Sequence, residues 1–222
     1  MNQFIWGLFP YLVIVVFVVA HIYRYNTDQL NWSAQSSEFL EKKQLRLGSM
    51  LFHIGIIFAL GGHLMGLLIP AETMVKIGLS DDLYHMLAFG VGGLVGILAL
   101  IGILLLLMRR MTNVRVRAIT TTGEYFMILL LTAVVVAGLY NTLTGSFLHP
   151  DYDYRDTISP WFRSLLVFSP DAELMRDVPL GFRVHIFLSF VLLLIWPFTR
   201  LVHVWSLPLE SLKRSPVLYR KR

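Results

Sequence analysis

The chain has seven histidines and no cysteine in 222 residues. Four of the histidines, His53, His63, His185 and His203, sit in two stretches apolar enough to cross a bilayer. An ionisable side chain inside a membrane span is costly, and its default reading is functional. His53 and His63 lie ten residues apart within LFHIGIIFALGGHLMG, which on a helix is about 15 Å of rise, so they mark two depths. If the two stretches run antiparallel, His53 shares a depth with His203, and His63 with His185. The eighteen residues from His185 to His203 are about five helical turns, so both imidazoles leave one face of their helix. Ten residues of the other helix give about 280° of rotation and 15 Å of rise against about 27 Å, so tilted macrocycles or a kink at Pro197 would be needed. Two imidazoles facing each other, with no cysteine or intramembrane carboxylate nearby, suit the axial positions of a haem iron, and two stacked bis-histidine haems b are expected. Hydrogen bonding between helices is the plain alternative. A structural zinc is disfavoured, because each depth supplies two ligands where zinc takes four. Without cysteine, an iron-sulfur cluster, a disulfide and a covalently attached c-type haem are all excluded.

The elements that must carry these residues are membrane helices. A mean hydropathy of +0.65, with 56% apolar and 15% charged residues, indicates an all-α integral membrane protein. Five runs are long enough to span, residues 4–23, 47–69, 83–108, 124–147 and 181–204, in one domain covering 1–222. The first lacks a charged start and a small-residue cleavage site, so it is expected to be a retained helix. The net charge of +5 does not indicate nucleic acid, because the basic residues cluster at the ends of apolar runs, where they report orientation. Arg24, Lys42, Lys43 and Arg46 follow the first span, Arg109, Arg110, Arg115 and Arg117 the third, and Lys213, Arg214, Arg220, Lys221 and Arg222 close the chain. The remaining connections are acid-rich, with Asp81, Asp82, Asp151, Asp153, Asp156, Asp171, Glu173 and Asp177. The N-terminus is therefore expected outside and the C-terminus in the cytoplasm. Residues 37–43, SEFLEKK, could form a short surface helix, a solvated loop or a docking point for a cytoplasmic partner. In the long outer connection, Ser159 and Pro160 suit a helix start, and Trp161 to Phe168 are expected to lie along the outer membrane surface.

Further residues bear on the same chemistry. Gly55, Gly62 and Gly66 line one side of the second span, where missing side chains admit a macrocycle; Gly92 and Gly96 have the spacing of plain helix packing. Arg183 near the outer histidines, and Arg200, Arg115 or Arg117 near the inner ones, could meet haem propionates, or snorkel to lipid phosphate. His85, beside Tyr84 at the outer start of the third span, could accept a proton from a quinol or be a surface histidine. His21 reads as an interfacial anchor and His149 as a solvated loop residue.

The pieces LFHIGI (51–56), GHLMG (62–66), RVRAITTTG (115–123), FRVH (182–185) and PFTRLVHVWSLP (197–208), with the polar NWSAQSS (31–37), resemble the gamma subunit of respiratory nitrate reductase, its cytochrome b membrane anchor, over essentially the whole length. The resemblance implies that His63 and His185 hold a distal haem and His53 and His203 a proximal one. It also implies that membrane quinol is oxidised on the outer side and that electrons pass to an iron-sulfur beta subunit carrying a molybdenum alpha subunit. On that reading the chain is the quinol-oxidising subunit of a complex of the bacterial or archaeal cytoplasmic membrane and has no nitrate-reducing site of its own. One departure concerns quinol: some members carry a lysine at the start of the third span, where this chain reads LYHML, so His85 or Tyr84 would take its place. The alternatives are a cytochrome b for another quinone- or thiol-linked reductase and a metal or proton transporter. Midplane carboxylates and inverted repeats, which would favour transport, are not visible.

Overall fold

The computed structural model describes residues 2–28, 37–148 and 152–205. His149, Asp151, the basic residues after 205 and most of the NWSAQSS stretch lie outside the described residues. Every described element is helical, and five helices are long and apolar enough to cross a membrane. They are α1 (Gln3–Thr27, opening with a π-helical turn), α2 (Lys43–Leu68), α4 (Asp81–Thr112), α6 (Thr122–Leu148) and α8 (Leu180–Ile195). Three short helices lie between them, α3 (Ala71–Lys76), α5 (Val114–Ile119) and α7 (Ile158–Leu166). The ends of α4 are set by local chemistry. Ser80 accepts a hydrogen bond from the Leu83 amide, Asp81 and Asp82 fill the first turn, and Arg109 and Arg110 fill the last, complementing the helix dipole at both ends.

The bundle is a chain of neighbours, α2 on α4, α4 on α6, α6 on α8 and α8 on α1. The α2–α4 contact is the closest, because glycine lets backbone meet backbone. A Cβ on Gly55 would lie 2.5 Å from the Val95 carbonyl oxygen, and one on Gly102 would lie 2.7 Å from that of Gly48. Gly55 is therefore used in helix packing, not in admitting a macrocycle as expected, and Gly96 packs against Leu139 as its spacing suggested. Away from α4, α2 is unusually bare. Only 11% of its most apolar window is buried, against 39% for α6.

Three expectations are corrected. The fifth span does not stay α-helical to residue 204. It ends at Ile195, and Trp196–Phe198 and Arg200–Trp205 continue as 3-10 turns, because Pro197 cannot supply the next helical amide hydrogen. Segment 161–168 is not exposed along its whole length: Leu166, Val167 and Phe168 are open, while its other face packs inward. Trp161 is 1% exposed, meets Trp6 edge-on at 5.7 Å and donates its indole N–H to the Trp6 carbonyl. Nor does Ser159 cap α7, whose first residue is Ile158; its hydroxyl donates to the Gly66 carbonyl, and Arg163 donates to that of Leu67. These are two of the carbonyls that the end of α2 leaves unsatisfied. Residues 37–42 take the loop alternative, with a turn at 38–40 before α2 starts at Lys43, and are held by the buried Arg109 guanidinium, which donates to Ser37 and Glu41.

Replacing Gly55 by valine should push α2 off α4, because the obstructing atoms are backbone, at a cost of about 3 kcal/mol or more. Gly90→Ala, where nothing lies within 4 Å, should be near neutral. Thermal unfolding in detergent distinguishes the two, and equal melting temperatures would refute the close contact.

Candidate functional site

The four span histidines meet in two pairs across α2 and the α8 end of the bundle. The ring centroids of His53 and His203 lie 6.0 Å apart, as do those of His63 and His185. Metal–imidazole bonds of about 2.0–2.1 Å and a ring radius of about 1.1 Å put two imidazoles on opposite sides of one metal roughly 6.3 Å apart, so both pairs have the spacing of axial ligands. Each Nδ1 faces a backbone carbonyl: Ser49 for His53 (2.7 Å), Ala59 for His63 (2.7 Å), Val134 for His185 (3.0 Å) and Arg200 for His203 (2.7 Å). A carbonyl accepts only from a protonated Nδ1, which leaves Nε2 with its lone pair for a metal. His21 makes the same kind of bond, to Phe17, but its ring faces Phe17 and Trp205. The second imidazole sets the two pairs apart. Each pair supplies two imidazole donors, the number a haem iron takes axially and fewer than the four of a structural zinc.

The partner stretch is not one continuous helix: α8 ends before Pro197, and Thr199 is extended (φ −113°, ψ −179°). His203 sits on a 3-10 turn, so uniform 3.6-residue periodicity does not apply to it. Gly138 of α6, which composition alone did not single out, seats the other pair. A Cβ there would lie 2.8 Å from His185 Cε1. The available signal was a lone glycine in the run AVVVAGLY.

The candidate haem contacts are placed unevenly. Gly62 has nothing within 4 Å of where its Cβ would be, whereas Gly66 faces the hydroxyls of Tyr84 and Tyr154. Arg183, two residues before His185, has a buried Nε without a hydrogen-bond partner. Arg200 forms an ion pair with Glu124 (2.5 Å), and Arg115 and Arg117 are exposed on α5.

At the His63 end a second cluster joins α4 to the connection after α6. The Tyr84 and Tyr154 hydroxyls are hydrogen-bonded to each other beside Gly66, and the Arg155 guanidinium lies 4.5 Å from the centre of the Tyr84 ring. Arg155, 8% exposed, pairs with Asp153 (2.6 Å) and Asp81 (2.9 Å). His85 is about half exposed, with its Nε2 3.0 Å from Arg155 Nη2 and 3.3 Å from Asp153 Oδ2. Neutral, that nitrogen accepts from the guanidinium; protonated, it donates to the carboxylate. Burial raises the Tyr152 hydroxyl to about 12 and Tyr154 higher still, so both stay neutral hydroxyls. Burial alone would raise Asp153, but hydrogen bonds from Arg155 more than offset this and hold its carboxyl below the usual range. Arg155 was not foreseen, because its partners are 2 and 74 residues away.

The sequence profile of the nitrate reductase gamma subunit matches residues 2–222. The chain belongs to the nitrate reductase gamma subunit family. Over its whole length it is 47% identical to the nitrate reductase gamma chain of Bacillus subtilis, covering 99% of that protein. It is 37% identical to the respiratory nitrate reductase 1 gamma chain of Escherichia coli, covering 98%. A nitrate reductase-like protein of Mycobacterium tuberculosis is 39% identical, but there the match covers 34% of a longer chain. Gamma-family membership and five apolar helices identify a multi-pass inner-membrane protein, a redox subunit of the electron-transfer kind.

The Asp153–Arg155–Asp81 cluster should resist acid. A carboxylate whose folded pKa is depressed stabilises above its unfolded pKa, about 3.9, and loses that contribution only as pH falls through the lower folded value. Amide exchange at residues 152–157, corrected for intrinsic rates, should therefore stay slow from neutral pH down to about 4. Asp153→Asn should exchange faster already at neutral pH. Equal protection in the two proteins would refute the role of the carboxylate.

Proposed function

We propose that the chain is a dihaem cytochrome b subunit that oxidises membrane quinol and passes electrons to a cytoplasmic partner. His63 and His185 would hold one haem b and His53 and His203 the other. The reading rests on one observation: two imidazole pairs at ligand spacing, with every Nδ1 directed to a carbonyl. Bound there, the two haems supply one-electron transfer between the two ends of the bundle. Lysine and arginine at the His53 end favour the cytoplasm for that side, with the N-terminus and the His63 end outside. The partner there would be an iron-sulfur beta subunit carrying a molybdenum alpha subunit, and no nitrate-reducing site is assigned to this chain. Gly62 leaves room for a macrocycle edge and Arg183 has a donor available for a propionate, whereas the bare side of Gly66 is taken up by the Tyr84 and Tyr154 hydroxyls. Arg115, Arg117 and Arg200 stand at the other end, with Arg200 already engaged by Glu124.

Quinol oxidation releases two protons, and the cluster at the His63 end suits that task. Tyr84 and Tyr154 place hydroxyls beside Gly66, three residues from His63, where a quinol hydroxyl can be hydrogen-bonded. His85 takes a proton on Nε2 and turns from acceptor of Arg155 to donor to Asp153, and from its half-exposed position the proton can leave to water. Covering the end of α2, α7 keeps this side of the bundle closed.

Pyridine-haemochrome analysis should count two haems per chain, and replacing any one of the four histidines by alanine should lower the count by about one. Substitutions at His63 and His185 should affect the same haem; if His63 and His203 did so instead, the pairing would be wrong. A wild-type chain without haem would sink the whole reading.

His85→Ala should leave both haems in place and reducible by dithionite, while slowing reduction by a quinol analogue by about 100-fold. Unimpaired quinol-driven reduction would exclude His85 from proton transfer.

A further inference from the structure

We propose that Glu124 is a positioning residue for the imidazole of His203, acting through Arg200. The inference rests on the dihaem reading above and concerns how this chain aims one of the four ligands.

His203 is the one span histidine that an α-helix does not hold. Its segment, Arg200–Trp205, is a 3-10 turn beyond the break at Pro197, and short 3-10 turns have poorer hydrogen-bond geometry and less intrinsic rigidity. The ring is oriented by its Nδ1 bond to the Arg200 carbonyl (2.7 Å), so the place of Arg200 decides where the imidazole points. Among the described residues, two groups from other helices bear on that place. Arg24 of α1 donates to the carbonyls of Pro197 (2.6 Å) and Thr199 (2.8 Å), and Glu124 of α6 pairs with Arg200 Nε (2.5 Å). Glu124 is 7% exposed and is itself immobilised. Its carboxylate accepts from the Thr121 amide (2.8 Å) while the Thr121 hydroxyl accepts from the Glu124 amide (3.3 Å), a reciprocal capping box at the start of α6. A rigid helix start thus extends a charge to the one residue whose carbonyl sets the His203 tautomer and ring direction. Outer partners of this kind commonly control how tightly a ligand holds its metal.

The bland reading is that Glu124 only caps α6. The two roles separate, because glutamine fills the same capping position but carries no charge toward Arg200, or toward Arg110 3.8 Å away. In the membrane-embedded complex, Glu124→Gln should weaken retention of the His53–His203 haem by about 10- to 100-fold, whereas Glu124→Asp should restore part of it. The midpoint potential of that haem should move, and the potential and content of the His63–His185 haem should not. A Glu124→Gln protein with full haem content and both midpoints unchanged overturns the proposal. Should that variant lose both haems through misfolding, Arg200→Lys provides the second test. It keeps a charge but replaces the guanidinium that stands against Glu124, and an unmoved His53–His203 midpoint there overturns the proposal equally. Absence of haem from the wild-type complex would instead defeat the dihaem reading and is thereby distinguished.

Discussion

Backbone contact between α2 and α4 is the constraint on which the site depends. Gly48, Gly55 and Gly66 recur at seven and eleven residues, which at about 100° per residue keeps all three on one side of α2. That side is committed, to Gly102, Val95 and Ala99 along most of its length and to the Tyr84 and Tyr154 hydroxyls at its end. Once it is fixed, the rotation of α2 has no freedom left, and His53 and His63 fall roughly 140° and 60° around from it, on the flank toward α8. No side chain needs to orient the histidines on α2. The glycines do so by allowing only one helix face to approach.

The partner stretch reaches the same result by a different route. His185 is seated directly, against the bare surface of Gly138 and the Val134 carbonyl, whereas His203 depends on a broken helix held from outside by Arg24 and Glu124. A straight α8 would set its two imidazoles about 27 Å apart in rise, against about 15 Å between His53 and His63. Ending the helix at Ile195 changes both the rise and the rotation of the segment that carries His203.

Hydrophobic runs long enough to span are a strong signal, and five helices were legible from composition and length alone. So was the pairing of histidines by depth, because depth depends only on rise and chain direction. What escaped the sequence depends on contacts between distant residues. Trp161 read as a surface aromatic because a nine-residue apolar segment looks the same whether it meets lipid or the ends of three helices. Arg155 and Glu124 were not singled out, since burial of a charge is decided by partners that the local sequence does not name. The end of α8 is an intermediate case: Pro197 announced an irregularity but not its form.

Of the five spans, α1 comes first in the sequence but packs against the last. The main contacts of α1 are with α8, the 3-10 turn after it and the segment around α7, and the bonds that fasten it join residues 154 and 173 positions apart, from Tyr11 to Leu165 and from Arg24 to Pro197. Helices α2, α4 and α6 can pack in order as they leave the ribosome, each against its predecessor. Until α8 follows, the inward face of α1 lacks the neighbours it has in the bundle. Such an order leaves the histidine-bearing flank of α2 accessible from the side until the final step of biogenesis.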